Sequence, residues 1–288
     1  MILVTGATGR VGYRLMEALA DAGTDVTAMV RVAARAADLP GAPGHVVATF
    51  DDPPAAEVLR EFDRIFLLSP ENEEQAELET VFLDAVAAAG HQPHIVKICA
   101  DGFRDPGCEV RFMRSHRQVA AHLDALGLPV TYLAAATYLE DLLPSADAIR
   151  RTGMIEAPAG QGRAGWVAVA DVARAAARVL TTEGHENVTY VLTGPQALGY
   201  ADVAALFADV FAWQVGYADQ PPGQALEAML ARGLPRWEAE GELERFDWIR
   251  QGGAAVVTDT VRDLTGDGAR AVGDWLSESR QEFFTERA

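Results

Sequence analysis

Short apolar runs alternate with longer amphipathic stretches through the first half of the chain. The apolar runs predict strands at residues 2–5, 25–30, 45–49, 64–68, 95–99 and 130–134. Between them, apolar residues recur every three or four positions, which predicts helices over residues 10–22, 72–89 and 113–126. Because helices of this length connect parallel strands, the pattern predicts a Rossmann-type α/β fold with a doubly wound parallel sheet.

The second half of the chain has a less regular pattern. It predicts helices at 138–149, from Asp171 to 180 and at 200–211, and short strands at 154–157, 165–169, 189–193 and 214–217. The Pro-Pro-Gly run at 221–223 is interpreted as a turn. We therefore predict a Rossmann domain over residues 1–150 and a smaller mixed α/β lobe over 151–288, some segments of which return to the Rossmann body.

A glycine loop lies between the first predicted strand and the first predicted helix. Gly6 permits a tight exit from the strand, Gly9 lets the backbone approach a pyrophosphate, and Gly12 lets the helix pack close to the sheet. Free N–H groups at the helix start then face the phosphates. The alternative is an ordinary strand–turn–helix corner, but the context favours a dinucleotide site. Its candidate residues are Gly6, Thr8, Gly9, Arg10, Val11 and Gly12.

The residues after the second predicted strand indicate which dinucleotide this loop prefers. An NAD site usually has Asp or Glu there to bind the ribose 2′-hydroxyl, whereas this strand ends with Val30 and Arg31. Arg31 and Arg10 are both suited to a 2′-phosphate, so NADP(H) is preferred over NAD(H). Alternatively, Arg31 is a solvated surface residue. Asp51, after the third strand, either lies near the adenine or is a simple loop acid.

The net charge excludes some classes of partner. At −18 the chain repels nucleic acid and anionic membranes. There is no signal-peptide pattern and no apolar run of membrane-spanning length, so a cytoplasmic location is the default expectation. Cys99 and Cys108 form neither a disulfide framework nor a zinc pattern. A small-molecule ligand is therefore expected, without metal, and a homodimer stays an open alternative to a monomer.

Several motifs, in their order and spacing, resemble the NmrA-like group of atypical short-chain dehydrogenases. This group includes triphenylmethane reductase, bacterial quinone reductases and regulators that bind NADP without turnover. The motifs occupy residues 4–9, 30–31, 67–70, 94–100, 116–129, 167–173, 190–195 and 261–266. The resemblance implies that residues 1–150 bind NADP and that 151–288 mainly bind substrate. It also implies that Leu68, Ser69 and Pro70 line the cofactor groove and that Ile98 and Cys99 flank the nicotinamide.

The sequence departs from this group at three places. Residues 134–136 are all alanine where relatives often have Arg-Pro-Asn, Cys99 replaces a frequent Ser, and Ala120 replaces a frequent Glu. The alanines imply a larger, more apolar pocket that suits a large aromatic substrate. No Tyr precedes the single lysine, Lys97, by four residues, which excludes the Tyr-x-x-x-Lys route to alcohols and ketones. Hydride transfer to a quinone needs no such acid, because the ring delocalises the charge.

Three residues are candidates for a catalytic role. His116 has a pKa range suited to proton transfer, and the alternative is a surface histidine. Lys97, inside a central strand, either meets the cofactor ribose or pairs with an acid such as Asp101. Tyr138 either points into the pocket or is an ordinary core aromatic, and the second interpretation is favoured. Cys99 is interpreted as a small apolar residue rather than a nucleophile.

The leading hypothesis from the sequence is an NADPH-dependent oxidoreductase that transfers hydride to a quinone-like or polycyclic aromatic small molecule. Two alternatives stay open. One is a non-catalytic NADP-binding regulatory protein, and the other is a redox-neutral enzyme that retains the NADP site. The acidic composition argues against a regulator that touches DNA directly.

Overall fold

The computed structural model describes residues 1–41 and 43–284. The chain divides into two compact units. The first unit comprises Met1–Phe103, Phe112–Ala134 and Val169–Tyr190, and the second comprises Arg104–Arg111, Ala135–Ala168 and the chain from Val191 onward. The substrate-binding role predicted for residues 151–288 stays a prediction.

Strands and helices are numbered in chain order. The strands are β1 (Ile2–Val4), β2 (Val26–Val30), β3 (Gly44–Val47), β4 (Arg64–Leu67), β5 (His94–Ala100), β6 (Val130–Ala135), β7 (Met154–Ala157), β8 (Arg163–Ala164), β9 (Val188–Leu192), β10 (Leu198–Gly199) and β11 (Gly216–Asp219). The helices are α1 (Arg10–Asp21), α2 (Ala56–Leu59), α3 (Gln75–Ala88), α4 (Arg111–Leu126), α5 (Ala146–Thr152), α6 (Val169–Thr181), α7 (Tyr200–Phe211), α8 (Pro222–Ala231), α9 (Arg236–Arg250), α10 (Thr260–Thr265), α11 (Val272–Glu278) and α12 (Arg280–Phe284).

The first unit is organised around a seven-stranded sheet in the order β3-β2-β1-β4-β5-β6-β9. The pairs β3–β2, β2–β1, β1–β4 and β4–β5 are parallel, with Val4 opposite both Ala28 and Phe66. The order reverses between β1 and β4, the position at which doubly wound sheets bind ligands beyond the carboxyl ends of their strands. The predicted Rossmann-type fold is therefore confirmed.

The central strands are apolar on both faces because helices cover the sheet. Every residue of β1 is buried, whereas the edge strand β3 is largely exposed. Helix α1 buries Val11, Leu15 and Leu19 and packs against α6. The chain turns at Gly23 with φ +64°, the left-handed conformation in which glycine commonly ends a helix.

Helix α3 differs from its prediction. It begins at Gln75 rather than Asn72, and the Asn72 Oδ1 instead accepts a hydrogen bond of 3.1 Å from the backbone N–H of Glu74 in the preceding turn. The buried face consists of Gln75, Glu79, Phe82, Leu83 and Val86. Val81, an apolar residue of the same helix, is 39% exposed. Two polar side chains thus occupy positions on the buried face.

The second unit has its own apolar core around Trp166, Ile155, Phe207 and Phe283. Two pairs of short strands accompany it: β8 pairs with β10 antiparallel, and β11 pairs with β7 parallel. The helix predicted at 138–149 is a 3₁₀ turn over Leu139–Ser145 followed by α5. Pro144 explains the split, because proline interrupts the α-helical hydrogen bonds.

Three further predictions were wrong in detail. The strand predicted at 165–169 is absent from the described residues, where β8 ends at Ala164 and Val167 forms only an isolated bridge with Tyr138. The helix predicted to begin at Asp171 begins at Val169, so that Asp171 lies inside the first turn of α6, where it pairs with Arg174 at 2.9 Å. The Pro-Pro-Gly run opens α8, since proline is well tolerated in a first helical turn.

No helix in the part of the chain described here is both long and apolar enough to cross a membrane. Likewise, residues 1–41 and 43–284 contain no group of three or more His, Cys, Asp or Glu side chains that could hold a metal ion.

Candidate functional site

The glycine loop between β1 and α1 is closely packed onto itself. Gly6 has φ +61°, and a Cβ added there would lie 2.6 Å from the Leu68 carbonyl oxygen. A Cβ on Gly12 would lie 2.1 Å from the Gly6 carbonyl oxygen. Gly12 therefore lies in close contact with the backbone of the glycine loop itself. A Cβ on Gly9 would meet only the Gly6 oxygen, at 3.2 Å. The fold thus demands glycine at 6 and 12 more strictly than at 9.

Hydrogen bonds of Thr5 connect this loop to β4 and to the segment that follows it. Its Oγ1 accepts a hydrogen bond of 2.9 Å from the Leu68 N–H and lies 3.0 Å from the Phe66 carbonyl oxygen. The Thr5 side chain is fully buried. The two loops that flank the reversal in strand order are therefore held in a fixed relation, as a ligand site at this edge requires.

The start of α1 fits the diphosphate of a dinucleotide. Its N-cap is Gly9, without a side-chain cap, and no acidic residue occupies its first turn. Thr8, Gly9 and Arg10 are exposed. An uncapped, acid-free helix start carries partial positive charge and unsatisfied N–H donors, which favour an anion.

Arg31 and Asp51 follow neighbouring strands of the same sheet. Arg31 is exposed directly after β2, which lies beside β1 and runs parallel to it, so both strands end at one edge. Asp51 is exposed in the loop after β3, where the Thr49 hydroxyl lowers its pKa. The positions agree with a phosphorylated ribose beside Arg31, and both residues' cofactor roles stay predictions.

A buried polar cluster lies beside this edge of the sheet; we define it as Ser69, Gln75, Glu79, Lys97 and His116. Lys97 Nζ donates a 3.0 Å hydrogen bond to Glu79 Oε1, and both side chains are fully buried. Ser69 Oγ donates to the same oxygen at 2.7 Å. Of the two alternatives predicted for Lys97, pairing with an acid is observed, but the acid is Glu79 on α3 rather than Asp101.

Three atoms of the buried polar cluster have no hydrogen-bond partner. They are Glu79 Oε2, Gln75 Oε1 and His116 Nδ1. The other ring nitrogen of His116 lies 3.6 Å from Glu71 Oε1, beyond hydrogen-bond distance. Unpaired buried polar atoms each cost about 1–3 kcal/mol, so this arrangement is costly for a purely structural core.

His116 is buried rather than on the surface, which rules out the surface alternative. Burial lowers its pKa, and the Lys97 ammonium lowers it further. The ring is therefore neutral at pH 7, and one nitrogen carries a proton. A neutral imidazole beside a buried ion pair can donate or accept a hydrogen bond, which leaves its predicted catalytic role a prediction.

The remaining predicted residues have varied environments. Ile98 and Cys99 are buried near the carboxyl end of β5, Leu68 is half-buried and Pro70 is exposed. Tyr138 belongs to the second unit and is half-buried. The structure thus brings His116, Lys97 and Ser69 together, while Tyr138 lies in a different unit. Sequence reasoning missed Gln75 and Glu79, although their four-residue spacing along a buried helix face was a usable signal.

The second unit contains an open cleft of about 1050 Å³. Tyr200, Phe246 and Arg245 contribute to its lining, and Arg245 bonds Asp141 at 3.1 Å and also pairs with Glu242. Burial raises the pKa of Tyr200, which therefore stays neutral. A cleft of this size accommodates a drug-sized molecule, so it is the candidate for the predicted substrate role of this unit.

Acidification is expected to destabilise the protein below about pH 6.5, the ordinary pKa of histidine. Burial is the main cause that lowers the pKa of His94, His116 and His185 in the folded state. The unfolded chain therefore binds more protons as the pH falls through 6.5, and folding stability decreases. Thermal melts between about pH 7.5 and 5.5 should show a fall of several degrees in Tm.

A substitution distinguishes the contribution of His116 to the pH dependence of stability from those of His94 and His185. His116→Gln should weaken this pH dependence, because one proton-binding difference between the two states is removed. His45→Gln, on the exposed edge strand, is the matched control for the loss of one histidine. Equal slopes for wild type and His116→Gln would contradict the buried neutral state of His116.

Comparisons with known proteins place this geometry in context. The sequence model of the NmrA-like family matches residues 1–249. An NAD(P)H azoreductase from Xenophilus azovorans is 31% identical over 289 residues, covering 98% of this chain and 99% of its own. A (4-alkanoyl-5-oxo-2,5-dihydrofuran-3-yl)methyl phosphate reductase from Streptomyces griseus is 32% identical over 291 residues, covering 99% and 100%. The NADPH-dependent quinone oxidoreductase QOR2 of Escherichia coli, solved with NADPH, has a TM-score of 0.87 and 26% identity over 96% of this chain and 99% of its own.

Proposed function

The chain belongs to the NmrA-like family, and from this premise we propose that it is an NADPH-dependent reductase of quinone-like or polycyclic aromatic small molecules. The family resemblance predicted from the motifs is confirmed. The prediction of an NAD(P)H-dependent reductase agrees with the activities of an azoreductase and a furanone phosphate reductase that match the whole chain. The identity of the acceptor is our proposal.

The single observation that carries the proposal is the uncapped start of α1 behind the glycine loop, at the reversal in strand order. Its donors face the phosphates of a dinucleotide, as expected of this fold. The similar quinone oxidoreductase binds NADPH, and Arg31 supplies charge for the 2′-phosphate. When bound, NADPH supplies a hydride, and the chain's own residues bind and orient it.

The class of acceptor follows from the chemistry that these relatives perform. Azo groups, conjugated furanones and quinones are all electrophilic conjugated systems. Reduction of such a system spreads negative charge over several atoms, so a strong general acid is less necessary than for an isolated carbonyl. The absence of a Tyr-x-x-x-Lys motif fits that demand. Buried alanines at 134–136 leave that region apolar.

The test is oxidation of NADPH by the purified protein, followed at the absorbance band of the reduced nicotinamide. The acceptors are a naphthoquinone, an azo dye and a triphenylmethane dye, each compared with a simple ketone. We expect turnover with one or more of the conjugated acceptors and none with the ketone. Tight NADPH binding without any turnover would instead support a regulatory protein, and product formation without NADPH consumption would support a redox-neutral enzyme.

Arg31→Ala should reduce the preference for NADPH over NADH. A charge-assisted hydrogen bond contributes about 1.5–3 kcal/mol, so the KM for NADPH should rise about 10- to 100-fold while that for NADH changes little. The matched control is Arg35→Ala, an exposed arginine in the adjoining 3₁₀ turn. If Arg31→Ala raises the KM for NADPH and the KM for NADH equally, Arg31 does not bind the 2′-phosphate.

A further inference from the structure

The ion pair between Lys97 and Glu79 is not explained by stability. Both side chains are fully buried, and Glu79 Oε2 lacks a hydrogen-bond partner. Buried pairs are often no more stabilising than apolar residues of similar size, because desolvation offsets the Coulombic attraction. An incompletely satisfied pair is less favourable still. The pair therefore needs a role that an apolar core would not provide.

Ser69 connects this pair to the ligand edge of the sheet. It follows Leu68, whose backbone is held by Thr5 and lies against Gly6 of the glycine loop. Its hydroxyl hydrogen is directed at Glu79 Oε1, 2.7 Å away, whereas the alternative acceptor, the Pro70 carbonyl oxygen, is 3.5 Å away. A hydroxyl has one hydrogen and two lone pairs, so Ser69 is left with acceptor capacity only.

We propose that Glu79 and Lys97 act as positioning residues that fix Ser69 as a hydrogen-bond acceptor for the nicotinamide half of the cofactor. The inference rests on the proposed function, because it requires the dinucleotide to bind at this edge. Lys97 holds the Glu79 carboxylate in place, and that carboxylate in turn holds the Ser69 hydrogen away from the ligand. Ser69 then selects a ligand group that carries a hydrogen.

Two groups of the nicotinamide half have the required chemistry, namely the carboxamide N–H and the ribose hydroxyls. Each donates a hydrogen bond to a serine oxygen whose own hydrogen is engaged elsewhere. The Ser69 oxygen therefore matches a donor-bearing ligand and disfavours one that presents only lone pairs.

The test measures affinities for NADP⁺ and for its 3-acetylpyridine analogue, which lacks the carboxamide N–H but keeps both riboses. The proteins are wild type, Ser69→Ala, Ser69→Thr and the double variant Lys97→Met/Glu79→Leu. The double variant removes both buried charges together, so that neither is left unpaired. Its melting temperature and that of Ser69→Ala are measured first, to establish that the fold is retained.

Ser69→Ala should weaken NADP⁺ binding about tenfold, and Ser69→Thr should restore it, because the hydroxyl is retained. The double variant should also weaken binding, and adding Ser69→Ala to it should have little further effect, since the three residues act as a unit. If Ser69→Ala leaves the affinity for the 3-acetylpyridine analogue unchanged, the carboxamide is the donor. If it weakens the affinities for the analogue and for NADP⁺ equally, the donor is a ribose hydroxyl.

The inference is overturned if wild type binds NADP⁺ and the stable double variant binds it equally well. It is also overturned if the effects of Ser69→Ala and the double variant simply add. A wild-type protein that binds neither NADP⁺ nor NADPH would refute the proposed function instead, so the two failures are distinguishable.

Discussion

Gly12→Ala is expected to abolish dinucleotide binding and to destabilise the first unit. The new Cβ would lie 2.1 Å from the Gly6 carbonyl oxygen and 2.8 Å from the Ala7 Cα. Both neighbours are backbone atoms, so the loop has to move, and overpacking of this kind costs about 1–3 kcal/mol or more. A displaced loop no longer directs its N–H groups at the phosphates, so affinity for NADPH should fall at least about 100-fold.

The control is Gly23→Ala, at the end of α1. That residue has φ +64°, but a Cβ there would meet no atom within 4 Å. It should therefore cost about 1 kcal/mol from backbone strain and leave affinity intact. Denaturant unfolding and NADPH fluorescence titration measure the two effects. If Gly12→Ala binds NADPH as well as Gly23→Ala does, the close approach of Gly12 is not required by the nucleotide loop.

The contrast between these glycines shows how much of the site the sequence could predict. Gly6, Gly9 and Gly12 were identified because a strand exit, a phosphate approach and a helix start each have a known backbone demand. The atoms against which each of these glycines packs were harder to predict. The sequence does not reveal that Gly12 packs against the Gly6 carbonyl, because that depends on how the loop folds over itself.

The central strands were predictable because they are buried on both faces. Six apolar runs predicted β1 to β6 with bounds close to those observed. Short elements of the second unit were less predictable, since local propensity competes there with packing. Residues 165–169 have strand composition, yet Val169 begins α6 and Trp166 fills the core of the second unit.

The interior of the buried polar cluster was missed for a different reason. Lys97 in a central strand signalled a buried acid, but several acids were available. The prediction of α3 relied on apolar positions alone, and so gave no reason to place the Glu79 carboxylate on the buried face that it shares with Phe82 and Leu83. The polar partner of Lys97 was therefore missed.

Lys97→Met is expected to destabilise the protein strongly. It would leave the Glu79 carboxylate buried without a counter-charge, which typically costs about 3–5 kcal/mol. Glu79→Leu should cost a similar amount by leaving the Lys97 ammonium unpaired, because both side chains are fully buried. The double variant Lys97→Met/Glu79→Leu has neither charge, so its stability should be within about 1 kcal/mol of wild type.

Urea unfolding of the four proteins gives the coupling energy directly, provided that the m-value is unchanged. The exposed pair of Arg14 and Glu17, 2.7 Å apart on α1, is the matched control. There the single substitutions Arg14→Met and Glu17→Leu should each change stability by less than about 1 kcal/mol, since water screens both charges. Near-additive losses at Lys97 and Glu79 would mean that the two charges are not desolvated together. Strong coupling, with a double variant as stable as wild type, would show that stability does not explain the pair. Its action on Ser69 would then be the reason for two buried charges on β5 and α3.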